Sequence, residues 1–185
     1  MARSRSGVRM LCEGALLIAA ALILDLLPVW EMPWGGCISL GMVPFFLFAC
    51  RWGMGAGLLG GFVLGVLEFL FDGGFALTVY SLLGDYLAAF TVLGFAGVFR
   101  GRRWSIFAGT ILGCALRFLV HYAVGATVWA SLMPETFFGM TMTTPWIYSL
   151  LYNGFYMGID LVLCLVVFIL LSKPMGKYVT GADLR

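Results

Sequence analysis

The feature that most constrains the fold of this chain is a series of apolar runs about as long as a membrane is thick. A helix crosses ~30 Å of hydrocarbon with about 20 residues. Such runs cover approximately residues 10–27, 54–71, 77–99, 104–130 and 145–171, and a shorter run with Pro44 covers 38–50. Since 62% of the residues are hydrophobic and 11% are charged, the pattern predicts an all-α integral membrane protein, a single six-helix domain over residues 1–185.

Charged residues in the termini and loops alternate in sign along the chain. The basic residues are Arg3, Arg5, Arg9, Arg51, Arg100, Arg102, Arg103, Lys173 and Lys177, and the acidic residues between them are Glu31, Asp72 and Glu135. By the positive-inside rule, both termini are cytoplasmic and loops 28–37, 72–76 and 131–144 face outward. Without the second helix, Arg51 and Glu31 would lie on the same side, so we keep that helix as tilted or buried in the bundle.

Small residues form two smooth helix faces. Glycine recurs every four residues from just before the third helix into that helix, at Gly53, Gly57, Gly61 and Gly65. Ala15 and Ala19 form a similar face on the first helix. In lipid such faces allow close approach, either within the bundle or against another protein. We favour packing within the bundle for the glycines, and the alanine face fits either role.

Charged residues inside spans are expensive and usually functional. Arg9, Glu13 and Arg51 are predicted near the cytoplasmic edge, where long side chains can snorkel to the interface. Asp25 and Glu68 are predicted near the outer ends of their helices. These positions require no buried polar site.

Three polar residues are predicted to lie deeper, on consecutive helices. Asp85, His121 and Asn153 are each about eight or nine residues from the outer end of their helix, or ~12–14 Å at ~1.5 Å per residue. Their common level predicts one pocket that opens to the outside. A self-contained ion-coupled carrier would need a second deep acid, and the sequence shows no evident one.

The only histidine belongs to a helical stripe. His121, Gly125 and Trp129 are four residues apart, so they share one face of the fifth helix. The stripe suits a flat ligand, with a titratable ring, a gap and an aromatic face. It also suits a core histidine, a packing glycine and an interfacial tryptophan, and spacing alone leaves both interpretations open.

Aromatic residues are abundant at the predicted level of the pocket. They are Tyr86, Tyr122, Trp129, Trp146, Tyr148, Tyr152 and Tyr156. An ordinary interfacial belt accounts for part of this set. Aromatic faces around a carboxylate also suit a flat organic cation. Loop 28–36, with two prolines, two tryptophans and two glycines, is either a lid over the pocket or an interfacial anchor.

Several function classes lack their motifs. A net charge of +2 does not indicate a nucleic-acid partner. The sequence contains no phosphate-binding G-x-x-x-x-G-K-[ST], no G-x-S-x-G and no H-E-x-x-H motif, and one histidine does not make a multi-histidine metal site. We therefore expect no enzyme activity, no resident cofactor and no metal. The five scattered cysteines are interpreted as small apolar packing residues.

Together, these features resemble the thiamine-specific substrate-binding subunit (S-component) of energy-coupling factor (ECF) vitamin transporters. The motifs are Asp85-Tyr86, the stripe Arg117-x-x-x-His121-x-x-x-Gly125-x-x-x-Trp129, and Tyr148-Ser-Leu-Leu-Tyr-Asn153-Gly. The resemblance covers nearly the whole chain. It implies high-affinity capture of thiamine from outside a bacterial cell, by a multi-pass protein of the plasma membrane.

The resemblance also implies residue roles. Trp129 would stack on the aminopyrimidine, His121 would lie against the thiazolium, and Asp85 would bind the aminopyrimidine edge. The remaining positions are Tyr148 and Asn153 for hydrogen bonds, Gly125 and Tyr86 for the wall, and Trp34 for the lid. The chain departs from the family pattern at Asp85, where the family has glutamate, and at Phe75, where it has tyrosine.

In this family the subunit docks on a transmembrane coupling subunit that works with two cytoplasmic ATPase subunits. Ala15 and Ala19 would form the docking face. Besides thiamine and membrane lipid, these subunits are therefore the expected partners. The alternatives are an S-component for a different vitamin and a self-contained secondary carrier of an organic cation.

Overall fold

The computed structural model describes residues 2–71, 75–102 and 104–184, with side chains from residue 6 onward. Within these residues, six main helices form a bundle. They are α1 (Ala2–Asp25), α2 (Met42–Trp52), α3 (Met54–Phe71), α4 (Val79–Phe99), α5 (Ser105–Thr127) and α6 (Pro145–Leu171). All but α2 contain a segment long and apolar enough to cross a membrane. The predicted all-α membrane architecture is confirmed.

Two short hairpins lie in the connections at one end of the bundle. Strand β1 (Trp30–Glu31) pairs with β2 (Cys37–Ile38) between α1 and α2. Strand β3 (Thr136–Phe137) pairs with β4 (Met140–Thr141) between α5 and α6. The prediction that a helix begins at residue 38 is wrong, because residues 37–38 pair with the first strand and α2 begins at Met42.

Helix α2 lies inside the bundle. Every residue from Met42 to Trp52 is buried. Eleven residues span ~16 Å, about half of the ~30 Å hydrocarbon layer. Pro44 lies in the first turn, where the missing N–H has no helical partner to lose. This helix is therefore surrounded by its neighbours, as one of the two sequence interpretations expected.

Glycines bring α3 and α4 into backbone contact. A Cβ atom on Gly57 would lie 2.8 Å from the carbonyl oxygen of Gly94, and Cβ atoms on Gly61 and Gly65 would meet the same helix even more closely. The predicted packing of these glycines within the bundle is confirmed. Gly53 has a different role, since it ends α2 with a φ of 93° that disfavours residues with a side chain.

Helix α4 is not a uniform α-helix. After a capping box at Thr78 it contains a π-helical segment, Leu82–Ala88, and it ends in a 3₁₀ segment, Leu93–Phe99. π-Helical segments occur frequently at functional sites. This one carries Asp85, and its Gly84 packs against Val124 of α5.

The opposite end of the bundle is closed by the C-terminal segment. Arg51 has no solvent exposure, and its Nε donates to Glu13 of α1 at 2.6 Å. Its terminal nitrogens donate to the two carboxylate oxygens of Asp183 at 2.7 and 2.8 Å. The guanidinium carbon lies 3.8 Å from the ring centre of Tyr178, which belongs to α7 (Gly176–Val179). The snorkelling interpretation is therefore wrong for Arg51, because acidic partners on α1 and the C-terminal segment enclose it.

The same cluster explains Glu13 and Arg9. Glu13 also accepts from Arg9 at 2.8 Å, and Arg9 donates to Asp183 at 2.6 Å. The hydrogen bond from the Arg51 guanidinium, followed by that from Arg9, holds the pKa of Asp183 well below its ordinary value. We call Arg9, Glu13, Arg51, Tyr178 and Asp183 the terminal cluster.

The five cysteines differ in how deeply they are buried. Cys50, Cys114 and Cys164 are buried, as predicted for packing residues. Cys12 is exposed on α1, so the packing interpretation is wrong there. Cys37 lies partly buried on the first hairpin, where burial raises the pKa of its thiol to about 12.

Asp72 and Arg103 lie outside the described residues, as do the side chains of Arg3 and Arg5. Cytoplasmic termini and outward-facing loops stay predictions.

Candidate binding site

A cavity of about 270 Å³ lies between the first hairpin and helices α4, α5 and α6. All eight residues that the sequence predicted for ligand binding line it. They are Trp34, Asp85, Tyr86, His121, Gly125, Trp129, Tyr148 and Asn153. The structure thus brings together residues that are up to 119 positions apart in the chain. Their roles in binding stay predictions.

Asp85 is the polar centre of the cavity. One carboxylate oxygen lies 2.9 Å from Nδ1 of His121, and the other accepts the indole N–H of Trp129 at 2.7 Å. His121 lies on α5, and Trp129 lies two residues beyond the end of that helix at Thr127, so the prediction that the helix continues to residue 130 is wrong. The chain still brings both side chains to the same carboxylate, because Trp129 directly follows the last turn of α5. The predicted stripe therefore converges on the predicted acid.

Arg117 determines the protonation of the histidine ring. Its Nε–H donates to Nε2 of His121 at 3.2 Å, so Nε2 carries a lone pair and the ring proton is on Nδ1. The imidazole is then neutral and donates to Asp85. The guanidinium of Arg117 also stacks 4.2 Å from the ring centre of Phe90. Sequence reasoning noted Arg117 within the motif but gave it no role.

The charged lining is unbalanced. Four carboxylic residues line the cavity, Asp25, Glu31, Glu68 and Asp85, against one arginine, Arg117. Asp25 and Glu68 are thus part of the cavity, although the sequence interpretation saw them merely as helix-end residues. A lining with more acids than bases favours a cationic ligand.

Aromatic rings form much of the remaining wall. Trp34, Phe75, Tyr86, Phe90, Trp129, Tyr148, Tyr152 and Tyr156 all line the cavity. Phe75 and Trp129 have ring centres 5.7 Å apart and planes tilted by 35°. Rings at several angles offer faces and edges to a flat cation.

Asn153 uses its amide within the protein. The amide nitrogen donates to the backbone oxygen of Ser149 at 3.0 Å and to that of His121 at 3.4 Å. Its oxygen accepts from the hydroxyl of Tyr156 at 3.1 Å. Asn153 therefore fixes α6 to α5 at the level of His121.

Gly125 both lines the cavity and packs against α6, so the two roles that the sequence suggested for it occur together. It lines the cavity, and a Cβ atom there would collide with Ser149 and lie 3.2 Å from the amide nitrogen of Asn153. Its missing side chain thus serves helix packing as well as the shape of the wall.

The sequence analysis missed a buried acid. Asp160 on α6 is 4% exposed, and it accepts the backbone N–H of Ser39 at 3.1 Å. The expectation that the chain has no second deep acid is therefore wrong. The available signal was spacing, since Asn153, Tyr156 and Asp160 follow an i, i+3, i+7 pattern on one helix face.

The described residues contain no group of three or more histidine, cysteine or acidic side chains arranged to hold a metal ion. Both oxygens of Asp85 already have hydrogen-bond partners, Nδ1 of His121 and the indole nitrogen of Trp129.

Comparison with solved structures supports the fold. The chain is similar to ThiT from Listeria monocytogenes, with a TM-score of 0.80 and 24% identity, over 93% of this chain and 97% of that one. This similarity shows that the two proteins share their fold.

Comparison of sequences identifies the family. The chain is 34% identical to the thiamine transporter ThiT of Bacillus subtilis, covering 92% of this chain and 93% of that protein. It is 28% identical to the thiamine transporter ThiT of Lacticaseibacillus paracasei, covering 84% and 82%. Residues 11–179 match the family model described as thiamine transporter protein (Thia_YuaJ). The chain therefore belongs to the thiamine transporter protein family, whose members are transporters and not enzymes.

Proposed function

We propose that this multi-pass protein of the plasma membrane captures thiamine from outside the cell in the cavity around Asp85. The observation that carries the proposal is the lining: four carboxylic residues, one arginine and several aromatic rings in an otherwise apolar protein. Thiamine is a flat cation with an aminopyrimidine, a thiazolium and a hydroxyethyl arm. The relatives of this chain that are named thiamine transporters support the same ligand.

The chemistry of each group suits this ligand. The carboxylate of Asp85 accepts hydrogen bonds from the aminopyrimidine edge, and the indole of Trp129 stacks on that ring. A neutral His121 lies against the thiazolium without charge repulsion, because Arg117 keeps the ring proton on Nδ1. Tyr148 and Asn153 add polar contacts, Gly125 and Tyr86 form the wall, and Trp34 covers the ligand.

Titration of the purified protein with thiamine tests this proposal. We expect saturable quenching of tryptophan fluorescence, because a stacked pyrimidine perturbs the indole. Other vitamins of similar size, neutral or anionic, serve as controls. Saturable binding of one of those, without binding of thiamine, would assign the chain to a different vitamin.

We further propose that the chain delivers thiamine as the substrate-binding subunit of an ATP-driven ECF importer. Ala15 and Ala19 are exposed on α1, so a partner helix can approach them closely. The partners would be a transmembrane coupling subunit and two cytoplasmic ATPase subunits.

Bulk on this face separates capture from transport. In Ala15→Leu and Ala19→Leu, thiamine binding by the isolated subunit should persist, while uptake by cells with the complete importer should fail. Ala115→Leu, at an exposed position of α5, is the matched control and should leave both unchanged. Parallel loss of binding and uptake would place the alanine face inside the folded bundle.

Asp160 is the observation that favours a secondary carrier, since an ion-coupled mechanism needs a further buried acid. One of its oxygens already accepts the backbone N–H of Ser39, which supports a structural role instead. Proteoliposomes that contain this chain without ATPase subunits distinguish the two. Concentrative uptake driven by an ion gradient would support the carrier.

A further inference from the structure

The tip of the first hairpin is bonded to a single side chain of α6. The hydroxyl of Tyr152 donates to the backbone oxygen of Pro33 and accepts the backbone N–H of Gly36 at 3.0 Å. Both partners belong to the turn between β1 and β2. One phenol therefore holds the two sides of this turn.

The same turn forms part of the cavity wall. Met32, Trp34, Gly35, Gly36 and Cys37 all line the cavity. Movement of the turn away from α6 would therefore open the cavity at this wall.

The turn has a conformation that needs support. Trp34 has a φ of 71° and Gly35 a φ of 95°. Residues with a side chain rarely adopt a positive φ, and external contacts usually maintain it. Trp34 is 52% exposed, so packing holds it weakly. Within the turn, the N–H of Met32 donates to the oxygen of Gly36 at 2.6 Å, and the N–H of Gly35 donates to the oxygen of Met32 at 3.3 Å. The bonds to Tyr152 are the hydrogen bonds that join this turn to α6.

The base of the hairpin is held separately. The hydroxyl of Ser39 donates to Asp25 of α1 and accepts the N–H of Gly41 at 3.1 Å. The N–H of Ser39 donates to Asp160 of α6 at 3.1 Å. Two acids on different helices thus fix the residue that joins the hairpin to α2.

Packing at Gly36 leaves room for no side chain. A Cβ atom there would lie 2.9 Å from the hydroxyl of Tyr152 and 3.0 Å from the ring of Tyr156. A methyl group at Gly36 would therefore force the turn and the Tyr152 hydroxyl apart.

We propose that Tyr152 is the latch of a lid formed by residues 30–38, a positioning residue that sets how long a ligand stays in the cavity. The acids at Ser39 keep the base in place, while the tip is released when both bonds to Tyr152 break. The ligand part of this inference rests on the proposed thiamine binding. The lid itself does not.

Hydrogen exchange in the ligand-free protein tests the latch directly. Tyr152→Phe keeps the ring but removes the hydroxyl, so the amide of Gly36 loses its acceptor. We expect exchange at Gly36 to accelerate about tenfold, which is ~1.4 kcal/mol, while amides of α2 stay unchanged. Tyr80→Phe, at a 74% exposed position on α4, is the matched control. Unchanged exchange at Gly36 in Tyr152→Phe would overturn the proposal.

Thiamine kinetics give the second readout. In Tyr152→Phe we expect the dissociation rate to rise about tenfold and the association rate to change by less than about twofold. Faster dissociation without faster exchange at Gly36 would make Tyr152 a ligand contact and would also overturn the latch. If the parent protein binds no thiamine, the proposed function fails, and the exchange experiment still decides the latch.

A second variant covers the case in which Tyr152→Phe does not fold. Gly36→Ala leaves α6 intact and displaces the turn from the hydroxyl, so we expect the same faster exchange on both sides of the turn. Gly158→Ala is the matched control, because a Cβ atom added at Gly158 would meet nothing within 4 Å. Normal exchange in Gly36→Ala would contradict the latch.

Discussion

The two polar regions of this membrane protein differ in the balance of their charges. In the terminal cluster, Arg9 and Arg51 face Glu13 and Asp183, two charges of each sign, and Arg51 is fully enclosed. Around the cavity, four acids face Arg117 alone among the described basic residues, and the space between them is open.

The difference separates structural from ligand-binding electrostatics. A buried charge with complete partners holds elements together, and it has no capacity left for a ligand. An excess of one sign beside a void leaves binding capacity, at a cost in desolvation. Substitutions in the terminal cluster should therefore change stability, and substitutions at the cavity should change affinity.

The largest effect is expected for Arg51→Leu. It removes the enclosed cation and leaves Glu13 and Asp183 with Arg9 as their basic partner in the cluster. Loss of one member of a buried ion pair costs ~3–5 kcal/mol. Denaturant unfolding in detergent measures this loss, while the folded fraction should bind thiamine with unchanged affinity. Arg102→Leu, at an exposed position, is the control and should have little effect. A large loss of affinity in folded Arg51→Leu would contradict the separation of the two regions.

Asp85→Asn tests the cavity, where substitutions should change the affinity for the ligand. It keeps the shape of the side chain and removes the charge, so the bound cation loses its compensation. We expect affinity to fall by ~2–4 kcal/mol, or roughly 30- to 1000-fold, with a nearly unchanged free energy of unfolding.

Calorimetric titration of Asp85→Asn and Asp85→Glu checks this expectation. Asp85→Glu keeps the charge and should bind far better than Asp85→Asn. Equal affinity of Asp85→Asn and the parent protein would show that stacking alone holds the ligand.

Trp129→Phe measures how much the aromatic wall contributes to the affinity. The smaller ring stacks less well and cannot donate to Asp85, so we expect a loss of about 1 kcal/mol, or roughly fivefold in affinity. The fluorescence quench by thiamine should largely disappear. Trp146→Phe, at a position that does not line the cavity, should retain both properties. A full quench in Trp129→Phe would place the responsive indole elsewhere.

The smallest effect concerns pH and the terminal cluster. The pKa of Asp183 is lowered in the folded protein, so its contribution to stability is complete above its ordinary value of 3.8 and is lost as the pH falls through the folded-state pKa. The stability difference between the parent and Asp183→Asn should be about 1 kcal/mol at both pH 8 and pH 5. It should shrink below pH 3.8. A difference that already disappears between pH 8 and pH 5 would contradict the bonded carboxylate.

The sequence predicted the helices and the deep polar residues because their signals are local, whereas the full set of eight cavity residues also rested on the family resemblance. Apolar runs define spans, and the spacing of His121 and Trp129 defines a face, so both could be predicted without tertiary contacts. The π-helical segment and the paired strands could not be predicted, because segments this short show no recognisable periodic pattern. Arg51 was misinterpreted because its partner Asp183 is 132 residues away in a short polar segment. Asp160 was missed although its spacing from Asn153 was visible.

The distance between Arg51 and Asp183 has a consequence for biosynthesis. A ribosome makes α2 long before Asp183, so during synthesis the arginine has at most the acidic partner on α1. A helix of 11 residues with a charged group is also too short for independent insertion into the bilayer. Helix α2 must therefore enter the membrane together with its neighbours, and its final environment is complete only when residue 183 has been translated. Completion of the charge cluster around Arg51 is thus one of the last steps in the assembly of this bundle.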